Sequence, residues 1–176
     1  MKRFRIVVLT LILMGCAHTH HSNSGVENGS MRGSSYAYRS NTYFMDQPNG
    51  DTLDEAKNLG VTTVINLRTE NEMKELKFNE AEEVKKRGIN YYHYPIDPSA
   101  PLSKETLAKI EQTYMAHHKK GEKVIVHCAS GQRSAAWFAY HVRFTHGENA
   151  EQALREAKEV GLSHHVLTEN VKSAIQ

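Results

Sequence analysis

Lys123-Val-Ile-Val-His127, followed directly by Cys128-Ala129-Ser130-Gly131-Gln132-Arg133-Ser134, is the stretch whose reading decides the fold. Its run of β-branched apolar residues suits a strand buried on both faces. Small polar residues and glycine then end the strand. A helix from about Ser134 to His146 is expected next, with Trp137, Phe138 and Tyr140 as core side chains.

Outward from this unit the same alternation recurs. Asp51 is placed to cap a helix with Leu53, Ala56 and Leu59 on its apolar side, and Thr62 to Leu67 reads as a β-branched strand. A polar helix centred on Glu80 to Arg87 precedes a strand from Ile89 to Pro95, and Ser103 is placed to cap a helix carrying Leu107, Ile110 and Tyr114. Downstream, helices are expected near Asn149 to Val160 and Ser163 to Ile175. Glycines such as Gly88 and Gly161 follow helical stretches, where they stop helices. The alternation predicts an α/β domain over residues 36–176, with a mainly parallel central sheet flanked by helices. Such sheets bind ligands beyond the carboxyl ends of their strands. Arg68, Asp97 and Cys128 each follow a predicted strand and are expected at that edge.

Composition narrows the function classes. With 176 residues, 39% hydrophobic and 24% charged, the chain suits one domain of ordinary size. The 22 Lys and Arg nearly balance 20 Asp and Glu, and mean hydropathy is -0.58, which excludes a basic nucleic-acid clamp and an integral membrane bundle. No nucleic-acid partner is expected. Two cysteines, Cys16 and Cys128, are too few for a disulfide scaffold.

The N-terminus reads as an address. Lys2, Arg3 and Arg5 precede an apolar run from Ile6 to Met14 and then Gly15-Cys16. As a helix that run would span ~14 Å against a hydrocarbon core of ~30 Å, so it reads as a secretory signal rather than a membrane span. Leu13-Met14-Gly15-Cys16 resembles the lipobox of bacterial lipoproteins. That resemblance implies removal of residues 1–15, a lipid on Cys16, and export to a membrane anchor, with Ala17 pointing to the outer membrane facing the periplasm. A plain signal peptide with an incidental cysteine is the alternative, and export is expected on either reading. Residues 16–35 are then the lipidated cysteine and a flexible tether rich in Ser, Asn, Gly and His. His18, His20 and His21 could bind a metal weakly, but a structural site needs about four placed ligands, and no metal or organic cofactor is expected.

The chemistry centres on Cys128. It ends a strand, precedes a helix N-terminus and is followed by Arg133, three features that favour a thiolate. Successive amides of Ala129, Ser130, Gly131 and Gln132 would form a nest for a tetrahedral oxyanion, and the planar fork of Arg133 can hold two of its oxygens. Arg68 is either a second anion contact or a surface residue tied to Glu70 or Glu72, and His127 reads as a buried hydrogen-bonding residue behind the loop.

His127-Cys128-Ala-Ser-Gly131-Gln-Arg133-Ser134 resembles the loop of cysteine-dependent protein tyrosine and dual-specificity phosphatases, with one residue fewer between Cys128 and Arg133. Gln47-Pro48, Val64-Ile-Asn-Leu-Arg68, Tyr94-Pro95-Ile96 and the shorter loop resemble, in order, a bacterial branch found alone or joined to β-lactamase-fold hydrolases. The resemblance runs from about Tyr36 to Val160. It implies a phosphatase acting on a phosphorylated protein or small molecule through a phosphocysteine, with Cys128 as nucleophile and Ser134 donating to its thiolate. Asp97 is the candidate general acid, its alternative being a turn residue in Asp97-Pro98-Ser99. The short loop also resembles that of rhodanese-type sulfurtransferases, which would place a persulfide on Cys128. A lipoprotein that binds anions without catalysis is the third reading.

Overall fold

Val124, Ile125 and Val126 have no exposed surface, as the middle strand of a covered sheet requires. The computed structural model describes residues 26–28, 31 and 35–176. In chain order these form β1 (Val26–Asn28), β2 (Ser35–Tyr38), β3 (Thr42–Met45), α1 (Gly50–Asn58), β4 (Val61–Asn66), α2 (Glu70–Lys74) and α3 (Glu80–Lys86). There follow β5 (Asn90–His93), α4 (Lys104–His118), β6 (Lys123–His127), α5 (Gln132–Phe144), α6 (Ala150–Glu159) and α7 (His165–Ala174).

The strands lie in the order β1-β2-β3-β6-β4-β5. The pairs β3–β6, β6–β4 and β4–β5 are parallel, while β1 and β2 extend the edge antiparallel, so the sheet is mixed with a parallel centre. Period-two alternation along the strands feeds two cores. Phe44, Ile65, Val124 and Val126 face the cluster that contains Trp137, Phe138 and Tyr114, under α4 to α7. Tyr43, Met45, Val64 and Ile125 face Leu53, Ala56 and Val84, under α1 and α3. Register aligns the strand ends: Met45 and Asn66 both lie opposite His127, and His93 lies opposite Asn66. The functional residues follow this row.

Several sequence expectations need correction. Asn49, not Asp51, caps α1, because its Oδ1 accepts from the Thr52 amide at 2.9 Å while Asp51 lies inside the first turn. Helix α5 starts at Gln132 because Gly131, at φ +80°, is its N-cap and needs no side chain to turn the backbone. Helix α7, expected from about Ser163, starts at His165 with His164 as its N-cap. The tether expected through residue 35 already contains β1, which pairs with β2, and Met31, which is 3% exposed. Strand pairing there is made by backbone groups, which leave no apolar periodicity to read. Residues 1–25, with Cys16 and the histidines of the tether, lie outside the described residues.

Candidate active site

Cys128 leaves the end of β6 fully buried, and its amide donates to the Met45 carbonyl at 3.4 Å. A bridge between Asp46 and Ser130 hangs the following loop from the end of β3. Gly131 completes that attachment. A Cβ there would lie 3.7 Å from the Met45 carbonyl, at a φ that L residues rarely adopt. Ala129 and Ser130 are exposed above the buried thiol. The loop thus lies between the buried Cys128 thiol and solvent, at the N-terminus of α5, where the helix dipole favours negative charge.

Arg133 is 4% exposed and reaches back across the strand ends. Its Nη1 donates to Glu72 Oε2 at 2.6 Å, to the Ile96 carbonyl at 3.1 Å and to the Leu67 carbonyl at 3.3 Å, while Nη2 donates to Glu72 Oε1 at 2.7 Å. A guanidinium has about five N–H donors, so Nε and the second Nη2 hydrogen remain as a parallel pair after these contacts. Burial works against the Arg133 charge, but Glu72 and Cys128 more than offset it and hold its pKa above the ordinary value. The fork expected to hold an oxyanion is therefore turned, with one edge gripping Glu72.

Glu72 was not singled out by its sequence, and it anchors this arrangement. Its carboxylate closes a capping box with Thr69, accepting from the Thr69 amide at 2.8 Å and its hydroxyl at 2.9 Å. The bonds from Arg133, with the Thr69 contacts, hold its carboxyl down at about 2 against the cost of burial. Thr69-x-x-Glu72 was the available sequence signal. Arg68 joins this arrangement. Its Nη1 donates to Gln47 Oε1 at 2.7 Å, and its Nε lies 3.7 Å from Glu72 Oε1.

The other expected residues divide. The Asp97 side chain is exposed and accepts from the Ser99 amide at 2.8 Å, the turn role, yet it follows directly on Ile96, whose carbonyl touches Arg133. Asp97 and Glu72 line one open cleft with Thr69 and Asn71. Ser134 donates to the Gly131 carbonyl at 2.7 Å, so in this state its hydroxyl supports the loop rather than the thiol. The Gln132 side chain points away from the ligand side. Its Oε1 accepts from the amides of Ser163 and His164 at 2.8 and 2.9 Å, and its Nε2 donates to the Gly161 carbonyl at 2.7 Å. Only its backbone is left to the anion nest.

Residues 31–171 match the family described as the Swiss Army Knife protein, DSP-PTPase phosphatase domain (PTP-SAK). The chain belongs to this family. It is similar to Tk-PTP in its active form, at 25% identity and a TM-score of 0.66 over 76% of this chain and 90% of that one. It shares the fold of P. aeruginosa TpbA, at 15% identity and a TM-score of 0.68 over 88% and 90% of the two chains. PTPMT1 in complex with PI(5)P has the same fold, at 22% identity and a TM-score of 0.66 over 77% and 90%. A search of curated proteins found no match. As a PTP-SAK member the protein is a tyrosine/dual-specificity phosphatase-like hydrolase of the cysteine-based type. The short loop between Cys128 and Arg133, which by spacing also resembles a rhodanese, sits in a phosphatase-family domain.

Proposed function

We propose that this PTP-SAK protein hydrolyses a phosphomonoester through a phosphocysteine on Cys128. The observation that carries the reading is the buried thiol at the start of α5 beside a guanidinium whose one edge is committed to Glu72. Cys128 Sγ attacks phosphorus while the bond from phosphorus to the alcohol oxygen breaks. Asp97 gives that oxygen its proton. Water then attacks the phosphocysteine, Asp97 takes the water proton, and phosphate and the thiolate are released. Loop amides and Arg133 stabilise the charge on the equatorial oxygens throughout. Ser134 must leave the Gly131 carbonyl to reach the departing thiolate.

A phosphotyrosine complex exists for TpbA and a PI(5)P complex for PTPMT1, which supports a phosphorylated protein or small molecule as the substrate class here. The short apolar run ending in Gly15-Cys16 supports export with removal of residues 1–15 and lipid anchoring through Cys16. On this reading the domain faces the periplasm from the outer membrane.

The full chain is expected to hydrolyse an aryl phosphate without added metal, and a rapid quench should trap a phosphoryl mass gain on Cys128. Cys128→Ser should lose turnover and keep phosphate binding, while Arg133→Lys loses both, since an ammonium cannot make the paired contact. A gain of one sulfur from thiosulfate on Cys128, with no phosphate release, would replace this reading by sulfur transfer. For the anchor, Cys16→Ser should abolish lipid labelling and release the protein from membranes.

A further inference from the structure

Glu80 is 1% exposed at the start of α3, and the phosphatase chemistry above does not use it. A buried carboxylate is costly unless donors surround it. Here residues on or just after four strands surround it. Gln47, after β3, donates to Oε1 at 2.6 Å. Asn66, ending β4, donates to Oε2 at 2.6 Å, and Tyr91 of β5 donates to the same oxygen at 3.1 Å. His127, ending β6 and fully buried, brings Nε2 to 3.1 Å from Oε1, a charge contact rather than an aligned hydrogen bond. Burial pushes the Glu80 carboxyl up, and His127 with the surrounding donors overcomes it, leaving the pKa below its usual value.

His127 immediately precedes Cys128, and its Nδ1 lies 3.3 Å from the Cys128 carbonyl oxygen. Each ring nitrogen thus faces an oxygen. The opposite side of Glu80 leads to the same loop by another route. Gln47 accepts from Arg68 at 2.7 Å, Arg68 lies 3.7 Å from Glu72, and Glu72 grips Arg133. The polar chain His127–Glu80–Gln47–Arg68–Glu72–Arg133 therefore starts and ends on the two residues that bracket the loop.

We propose that Glu80 is a positioning residue that sets the nucleophile: its sealed carboxylate holds the His127 ring behind Cys128 and anchors the contacts that hold Arg133. The proposal rests on Cys128 being the nucleophile. Its mechanism is electrostatic as well as steric. The Glu80 charge and its donors hold the His127 ring against the Cys128 carbonyl, and with it the end of β6 that presents the thiol to Arg133.

The test is thiolate formation in the full chain, read as ultraviolet absorbance against pH relative to the Cys128→Ser protein, which cancels Cys16 and requires no turnover. Glu80→Gln keeps the shape and removes the charge. Its midpoint should move up by about one pH unit, with kcat/KM for an aryl phosphate falling about tenfold below the midpoint and partly recovering above it. His127→Asn should shift the midpoint in the same direction, which keeps the test decisive if Glu80→Gln does not fold. Tyr91→Phe removes a hydrogen bond and leaves the charge, so it should lower the melting temperature without moving the midpoint. Midpoints unchanged in Glu80→Gln and His127→Asn, whatever the melting temperatures, would overturn the proposal. A shifted midpoint in a protein that lacks aryl phosphatase activity would keep the Glu80–His127 coupling and remove the nucleophile reading instead.

Discussion

Arg133 and Glu72 meet fork to fork, 61 residues apart in sequence, with Nη1–Oε2 at 2.6 Å and Nη2–Oε1 at 2.7 Å. The pair fixes the guanidinium relative to the Cys128 loop before any ligand arrives. Preorganisation of this kind is worth more to a phosphoryl transition state than a mobile cation, because a displacement of about 1 Å can cost about a hundredfold in rate.

Glu72→Gln should therefore lower kcat/KM for an aryl phosphate by ten- to a hundredfold, at about the magnitude expected for a misplaced catalytic group. It also has a signature in stability. The Glu72 carboxyl is held at about 2, below its ordinary 4.5, so the folded protein binds fewer protons than the unfolded chain between these values. The stabilisation is complete above pH 4.5 and is lost as pH falls toward 2. Urea unfolding across that window should show the loss in the unsubstituted protein and a flatter profile in Glu72→Gln.

His146 gives the opposite end of the molecule its own pH dependence. Burial first, then the charges of His141 and Arg39, hold its pKa down to about 4, against an ordinary value of 6.5. Its ring stands T-shaped to His141 at 4.5 Å, and both ring nitrogens lie 3.4 Å from the Tyr38 hydroxyl. A histidine with a lowered folded pKa contributes stability above 6.5 that is lost as pH falls to 4. His146→Phe keeps a ring against His141 and cannot take the proton. Its unfolding free energy should change less between pH 6.5 and 4 than that of the parent, by on the order of 1–2 kcal/mol after solvent screening.

Gly161 couples the fold to the site. It has φ +99°, and a Cβ there would lie 2.9 Å from Tyr36 Cε2, while its carbonyl accepts from Gln132 in the loop. Gly161→Ala should cost about 1–2 kcal/mol for the left-handed backbone, and more for the clash. Gly147, at φ +76° with open space around it, supplies the control. Thermal unfolding should rank Gly161→Ala below Gly147→Ala, and only the first should also reduce turnover, because Gln132 ties that turn to the loop.

What the sequence made legible was contiguous. Lys123 to Ser134 holds a strand, a turn and a cysteine at a helix start in one run, so apolar pattern and spacing could place Cys128 and Arg133 together. Glu72 and Glu80 escaped because their meaning lies in partners 61 and 47 residues away, Arg133 and His127, that only the strand register brings close. Helix α2 spans too few residues to display an apolar face, and its capping box was the single local sign. The side-chain role of Gln132 escaped for a related reason. Loop position identified its backbone role, whereas its side chain is committed to Ser163 and His164.

Asp97 offers the sharpest test of the reaction. Its side chain holds the turn through the Ser99 amide at 2.8 Å, and Asn at this position retains an oxygen for that bond. Asp97→Asn should leave the melting temperature within about 1 °C, on the expectation that a surface exchange preserving its contact is close to neutral. Its effect should fall instead on proton transfer. An alkyl leaving group needs the proton in the transition state, so kcat for an alkyl phosphate should drop about a hundredfold, while an aryl phosphate with a good leaving group should lose less than about tenfold. Equal losses on both substrates, with the turn intact, would assign the proton to another group. Glu72 cannot take that role while Arg133 holds it ionised, so the next carboxyl to substitute is Glu70, which lines the same cleft.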